Sequence, residues 1–267
     1  MTDHIVPVKP HVARDAHVQS FEQYQQIYDE SIRDPSGFWR QQAERLDWFH
    51  PFDRTCDVDF DKAEIAWYLG GKLNAAHNCI DRHLAERSEQ TAIIWVGDEP
   101  GEYTNITYRE LHEHVGRFAN VLKRYGVKKG DRVCIYLPMI PEAVYAMLAC
   151  ARLGAVHSVV FAGFSADALR DRIVDADCCV VLTANEGLRG GKTIPLKNTV
   201  DDAIAELSFV HTVLVAKRTE AEVSMQDGRD RWLADEMAQQ RAYCPVEWLD
   251  SEDPLFVLYT SGSTGKP

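Results

Sequence analysis

The sequence lacks the features that mark membrane-spanning or secreted proteins. No apolar run approaches the length of about 18 residues that a transmembrane helix needs. The opening residues, MTDHIVPVKPHVARDAH, contain no apolar stretch like that of a signal peptide. The seven cysteines include no C-x-x-C pair, and Cys178 and Cys179 lie in an apolar, strand-like run that favours buried thiols. We therefore expect a protein of the reducing cytoplasm.

Positive charge is also scarce, with 29 lysines and arginines against 41 acidic residues and a formal net charge of -12. Nucleic acids and anionic membranes are polyanions, so this balance argues against both as partners. A small anion needs only a local positive site and is compatible with this charge. The length of 267 residues allows one large α/β domain or two smaller ones.

The first part of the chain predicts an arm and a helical extension. We expect residues 1–18 to form a flexible arm and residues 19–90 to form a helical, loop-rich extension. Ser20 has capping-box spacing to Gln23, and a second short helix is expected from Asp34-Pro35 onwards. The rest of the extension is aromatic and shows no regular pattern.

Strand-like and helix-like patterns alternate through residues 91–267. Thr107 and Glu110 have capping-box spacing at the start of one helix, and Gly154 is expected to end the next. This alternation predicts an α/β fold: a mostly parallel sheet with helices on both faces. The expected strands are TAIIWVG, RVCIYLPM, AVHSVVFAGF, CCVVLTAN, FVHTVLVA and PLFVLYT.

The last ten residues, LYTSGSTGKP, predict a phosphate-binding loop that follows a buried strand directly. Gly262 and Gly265 allow a tight turn that directs successive N–H groups at one anion, and Lys266 adds a mobile positive charge. A surface turn is the alternative, but it does not need four hydroxyls and a lysine among glycines. The hydroxyls are those of Thr260, Ser261, Ser263 and Thr264.

Neither glycine-rich segment of the chain matches the Walker A pattern G-x-x-x-x-G-K-S/T. In the terminal loop, Thr260 and Pro267 occupy the positions where glycine and a hydroxyl residue are required. In GLRGGKT, which starts at Gly187, the spacer is one residue too short. What is left there is a basic turn from which Arg189 and Lys192 project. This turn suits an exposed phosphate contact, and a solvated basic turn is an equally fair interpretation.

No complete catalytic set and no metal site is predicted from residue spacing. His112 and His114 are two positions apart, so on a helix they point to different faces and cannot share a metal ion. The triplet of Asp81, Arg82 and His83 is expected to make local polar contacts.

The segment LYTSGSTGKP resembles the phosphate loop of the adenylate-forming enzymes. Further segments, spread over nearly all of the chain after residue 20, are similar to the AMP-forming acetyl-CoA synthetase family, and propionyl-CoA synthetases share much of the same pattern. These segments are GGKLNAAHNCIDRHL, TAIIWVGDEPGE, YLPMIPEAVYAMLACARLGAVHSVVFAGFS, NEGLRGGKTIPLK and EDPLFVLYTSGSTGKP.

The resemblance implies a reaction in two steps. Acetate attacks the α-phosphate of ATP to give acetyl-adenylate and diphosphate, and the thiol of CoA then displaces AMP. The terminal loop would hold the phosphates of Mg²⁺-ATP, with developing charge stabilised by amides, hydroxyls and Lys266.

The resemblance also implies a CoA site with two small departures from the family pattern. Lys192 keeps the charge of the arginine often found there but loses its bidentate fork, and Ala162 replaces a frequent glycine. The residues implied to bind CoA are Arg189, Gly190, Gly191, Lys192, Phe161, Ala162 and Gly163.

The family's usual length is more than twice that of this chain. The resemblance therefore implies an N-terminal portion, which we expect to be inactive on its own because the acyl pocket, the hinge and the small domain that rotates between half-reactions would lie outside it. A free-standing CoA- or nucleotide-binding module without catalysis is the alternative from another functional class. A P-loop NTPase is disfavoured by both spacing failures, and self-association through an exposed sheet edge stays open.

Overall fold

The structure, a computed structural model, describes residues 9–260. A 3-10 turn spans Asp81–His83. The helices are α1 Pro10–Asp15, α2 Phe21–Arg33, α3 Pro35–Ala43, α4 Ala75–Cys79, α5 Leu84–Arg87, α6 Tyr108–Arg124, α7 Pro141–Leu153, α8 Ala166–Asp175, α9 Leu196–Ile204 and α10 Leu233–Ala238. The strands are β1 Arg54–Asp59, β2 Glu64–Leu69, β3 Lys72–Leu73, β4 Thr91–Val96, β5 Tyr103–Thr107, β6 Arg132–Tyr136, β7 Val156–Val159, β8 Val180–Ala184, β9 Gly187–Arg189, β10 Lys192–Ile194, β11 Thr212–Ala216, β12 Asp230–Trp232, β13 Leu249–Asp250 and β14 Phe256–Val257.

A six-stranded parallel sheet forms the centre of the fold, in the order β12-β11-β8-β6-β7-β14. Val133 on β6 pairs with His157 on β7 and with Val180 on β8, which sets the register of the central strands. Helix α6 packs on α7 and α8 packs on α9, so helices flank the sheet. The predicted α/β class with a parallel sheet is confirmed.

The flanking helices begin and end where their residues favour it. Thr107 and Glu110 make both hydrogen bonds of a capping box at the start of α6, as predicted. Pro141 occupies the first turn of α7, and Gly154 ends that helix in the left-handed conformation, with φ of +71°. The apolar stripe of α6 is buried and includes Leu111, Val115, Phe118, Ala119 and Leu122.

The segment from Thr91 is a strand but does not join the parallel sheet. It pairs antiparallel with β5, a strand that the sequence did not indicate, in a separate two-stranded sheet. One face of this sheet is open to solvent, since Ile94 and Val96 are about 70% and 69% exposed. A hairpin that buries only one face does not need the continuous apolar run of a central strand.

The extension contains more regular structure than predicted. Strands β1 and β2 form an antiparallel hairpin where we expected loops, and α1 is helical within the expected arm. Thr55 is the one fully buried residue of these two strands and it is polar, so the apolar alternation that marks a half-buried strand is weak. The acidic residues near 229–240 predict a helix, but the structure has the strand β12 followed by the short helix α10 there, and the last strand is shorter than PLFVLYT.

All seven cysteines are free thiols. Cys178 is buried and Cys179 is partly buried, in agreement with the prediction of structural thiols. Burial raises the pKa of Cys150 and Cys178 to about 12, so neither is ionised near neutral pH.

No helix within residues 9–260 has the length and apolarity needed to cross a membrane.

A buried ion pair attaches the extension to the main sheet. The guanidinium of Arg152, on α7, makes two hydrogen bonds of 2.8 Å to the carboxylate of Asp81, and a third to the carbonyl of Cys244. Arg152 is 1% exposed. The prediction of merely local contacts for Asp81 is therefore wrong, because the fold supplies a partner from a distant helix. The side chain of Asn74 reinforces this junction through hydrogen bonds to the carbonyls of Ala151 and Glu247.

Residues 239–250, the crossing segment, return over α6 and α7. Asn120 on α6 donates hydrogen bonds to the carbonyls of Arg241 and Tyr243, both at 3.0 Å. Gly116 lies so close to this segment that a Cβ there would overlap the carbonyl of Ala242. The crossing segment is thus fixed on the helices before the chain enters β14.

We expect Arg152→Ala to lower the free energy of unfolding by about 3–5 kcal/mol, because it leaves the partly buried Asp81 carboxylate and the carbonyl of Cys244 without their partner. Arg109→Ala is the control: Arg109 pairs with Glu89 at 2.9 Å on the surface, and its loss should change the free energy by less than about 1 kcal/mol. Urea denaturation of both variants measures the difference. Equal effects would show that Arg152 does not secure the junction.

Candidate functional site

A cleft of about 550 Å³ lies at the carboxyl ends of the parallel strands. Its walls come from the segments that follow β6, β7, β8 and β11, together with the turn between β4 and β5. Strand β6 lies between β7 and β8, and the chain passes from one side of β6 to the other on its way from β7 to β8. This is the switch point at which open α/β sheets bind ligands.

The basic turn predicted at GLRGGKT is a hairpin of β9 and β10. Arg189 and Lys192 are directly paired across it, and the two residues of the turn, Gly190 and Gly191, have φ of +55° and +71°. Such a turn requires positive φ at both positions, which glycine adopts without strain. The hairpin geometry explains why the shortened spacer does not form a P-loop.

The cleft brings together two segments that the sequence suggested separately. The guanidinium of Arg189 lies 5.1 Å from the centroid of the Phe161 ring, and both residues line the cleft with Ala162. Phe161 is 52% exposed, so part of its ring is open to a ligand. Gly163 permits this arrangement, because a Cβ there would lie 2.6 Å from the Phe161 ring. Lys192 is exposed on the hairpin and does not line the cleft itself.

Three further residues shape the opposite wall, and the sequence analysis gave none of them a role. The indole of Trp95 donates to the carbonyl of Met139 at 2.7 Å, and the guanidinium of Arg218 lies 5.4 Å from the Trp95 ring centroid. Arg218 also pairs with Glu102 at 2.7 Å, and this hydrogen-bonded contact lowers the pKa of Glu102. Trp95 lies in TAIIWVGDEPGE, one of the segments that resemble the acetyl-CoA synthetase family. Arg218 lies outside these segments and is indicated only by its position just after β11.

The third residue is Asp98, in the turn between β4 and β5. Its carboxylate accepts a hydrogen bond of 2.9 Å from the backbone N–H of Gly190. This bond joins the tip of the basic hairpin to the antiparallel sheet across the cleft. The cleft therefore has two arginine side chains, an aromatic face and an acidic group at its rim.

Asn185 holds the segments after β8 and β11 together beneath the cleft. Its side chain is fully buried, donates to the carbonyls of Thr219 and Ala221, and accepts from the backbone N–H groups of Arg218 and Thr219. A single amide on the segment after β8 thus satisfies four backbone groups of the loop after β11. The arrangement positions Arg218 relative to the basic hairpin.

The predicted phosphate loop lies almost entirely outside the described residues. Only Thr260 of this set is described, and it is exposed; Ser261, Gly262, Ser263, Thr264, Gly265 and Lys266 are not. Strand β14 pairs in parallel with β7, so its carboxyl end points to the edge of the sheet that carries the cleft. Leu258, just after β14, is one of the residues that line the cleft.

The two histidines considered as metal ligands have different surroundings. His112 lies 3.7 Å from Asp81, whereas His114 stacks on Tyr145 with ring centroids 4.7 Å apart. Within residues 9–260, no group of three or more His, Cys, Asp or Glu side chains is arranged to hold a metal ion.

Family profiles match most of the chain. The profile described as "AMP-binding enzyme" matches residues 80–267. The chain belongs to the AMP-binding enzyme family. A second profile, "Acetyl-coenzyme A synthetase N-terminus", matches residues 24–79 of this AMP-binding family member, which lie within the extension.

Individual relatives agree with this assignment. The chain is 58% identical over 264 residues to an acetyl-coenzyme A synthetase of Halorhodospira halophila, with 98% of this chain and 41% of that protein covered. It is 56% identical over 262 residues to acetyl-coenzyme A synthetase 2 of Pseudomonas aeruginosa, with 98% of this chain and 40% of that protein covered. The chain thus spans about two-fifths of the length of these relatives.

The fold also matches a solved structure. Acetoacetyl-CoA synthetase from Streptomyces lividans superimposes with a TM-score of 0.82 at 28% identity, over 97% of this chain and 39% of that one. The arrangement of sheet and helices is therefore shared with an acyl-CoA synthetase.

In this AMP-binding family member, we expect Asn185→Ala to lower the free energy of unfolding by about 1–3 kcal/mol, because buried backbone groups lose their partner. Asn198→Ala, at an exposed position of α9, should stay within about 0.5 kcal/mol of the original protein. Chemical denaturation of both variants checks this. A stability of Asn185→Ala equal to that of the control would contradict the role given to Asn185.

Proposed function

We propose that this chain forms part of an AMP-forming acetyl-CoA synthetase, which converts acetate, ATP and CoA to acetyl-CoA, AMP and diphosphate through acetyl-adenylate. The observation that carries the proposal is the position of Arg189 over Phe161 at the switch point of the sheet. The names of the relatives favour acetate over propionate as the substrate acid.

The cleft would bind the nucleotide portion of CoA. Arg189 offers a guanidinium fork for a phosphate, and Lys192, paired with it across the hairpin, offers a second charge. The exposed part of the Phe161 ring offers a flat apolar face to the adenine. Ala162 and Gly163 keep the backbone beside that ring free of bulky side chains, so a ligand has room to approach.

The phosphates of ATP would bind at the terminal loop formed by residues 260–266. Backbone amides between Gly262 and Gly265, with Lys266, would stabilise the charge that develops on the departing diphosphate when acetate attacks the α-phosphate. Mg²⁺ is held largely by substrate phosphates in sites of this kind, so it would bind with ATP beside the same loop. The parallel direction of β14 supports this placement next to the cleft.

The proposed partners are small molecules: ATP, acetate and CoA. The net charge of -12 argues against nucleic acid and anionic membranes as partners. The seven free thiols favour the cytoplasm as the compartment.

We expect Arg189→Ala to weaken binding of CoA to the purified protein by about 10- to 100-fold, the range for a hydrogen bond to a charged group. Calorimetry with CoA measures this, and Arg109→Ala, which removes an equal charge from a residue that does not line the cleft, should leave the affinity unchanged. Equal affinity of the original protein and Arg189→Ala would refute the assignment of the cleft.

Because the chain spans about 41% of the length of its relatives, we expect the 267-residue chain alone not to catalyse acetate-dependent exchange of diphosphate into ATP. The cleft residues all lie within this chain, which also supports a second candidate function, CoA binding without catalysis. An exchange assay together with CoA calorimetry tests both statements. Exchange activity would falsify the expectation of an inactive chain, and absence of CoA binding would contradict the role given to the cleft in both candidates.

A further inference from the structure

We propose that Asp98 competes with the ligand phosphate for the backbone N–H of Gly190, so that the cleft carries a built-in anionic competitor. This inference rests on the proposed function of the cleft. Its basis is the hydrogen bond of 2.9 Å from the Gly190 N–H to the Asp98 carboxylate. The bond joins two separate sheets at the rim of the site.

The N–H of Gly190 is a group that suits a phosphate. It belongs to a turn with two successive residues of positive φ, and it lies between Arg189 and Lys192, which are paired across the hairpin. A single N–H satisfies one strong acceptor at a time. While the Asp98 carboxylate occupies it, a phosphate has to displace that carboxylate, and it also meets a negative charge beside the two basic residues.

Asp98 is free to be displaced. Within the described residues it has no ion-pair partner within 4 Å, whereas the nearby Glu102 is held by Arg218 at 2.7 Å. The guanidinium of Arg189 faces the ring of Phe161 rather than forming an ion pair with Asp98. The turn that carries Asp98 is exposed and includes Gly101, at φ of +88° and with open space around it.

The alternative role of Asp98 is to support phosphate binding, and this role predicts the opposite change in affinity. If the Asp98 contact holds the hairpin in the conformation that binds phosphate, its removal weakens binding. If Asp98 competes, its removal strengthens binding. The sign of the change in affinity therefore separates competition from support.

The test is calorimetry of the purified protein with adenosine 3′,5′-bisphosphate and, as a ligand without phosphate, adenosine. We expect Asp98→Ala to bind the bisphosphate about 10-fold more tightly, the size of one hydrogen bond to a charged group. Asp98→Asn removes the charge but keeps an acceptor oxygen, so its gain should be smaller. Glu99→Ala is the matched control, because Glu99 is the neighbouring exposed acid and does not contact Gly190.

Binding of adenosine should be equal in all these proteins, since the competition concerns the phosphate alone. Unchanged or weaker binding of the bisphosphate by both Asp98 variants overturns the inference, and so does an equal gain in Glu99→Ala, which would indicate a general charge effect. If Arg189→Ala still weakens binding in that case, the proposed function stands without the competitor. Absence of bisphosphate binding in the original protein and in both Asp98 variants overturns both.

Discussion

Parallel pairing of β6 with β7 on one side and β8 on the other is the constraint on which the candidate site depends. Parallel strands place their carboxyl ends at one edge of the sheet, and the change of direction around β6 opens a crevice there. Phe161 follows β7 and Arg189 follows β8, and these two strands lie on opposite sides of β6. The two residues meet because of this order of strands in the sheet. The antiparallel sheet of β4 and β5 then closes the rim with Asp98.

Buried polar groups hold the segments at this edge in place. Asn185 connects the loops after β8 and β11, and Lys197, near the start of α9, is fully buried between two carboxylates. Its amino group lies 2.7 Å from Asp201 and 2.8 Å from Asp230. Burial by itself raises the pKa of Asp230, but hydrogen bonds from Arg229 and Lys197 outweigh it and lower that pKa. Because α9 follows the basic hairpin directly, this network limits the positions that the hairpin can take.

Local signals in the sequence were sufficient for β6, β7, β8, β11 and β14 of the main sheet and for the helices beside them, whereas the edge strand β12 was not predicted. Thr107 fixes the start of α6 and Gly154 the end of α7 by chemistry that acts within one turn. The strand Glu64–Leu69 was not predicted from the sequence, because it is only partly buried and its apolar alternation is weak. In the site, the residue types of the hairpin indicated an anion, but Asp98 and Arg218 acquire their roles through contacts with distant segments. Such contacts depend on the order in which the strands are arranged in the sheets. The spacing of residues along the sequence does not reveal that order.

The close approach of Gly116 to the carbonyl of Ala242 has a consequence for the order of folding. The crossing segment docks on α6 and α7, so both helices have to be in place before it can settle. Closing a loop of this length has an entropic cost, and contacts between distant residues form late. A chain emerging from the ribosome presents β6, β7 and β8 before the crossing segment and β14, so β14 adds to an edge of the sheet whose central strands are already available.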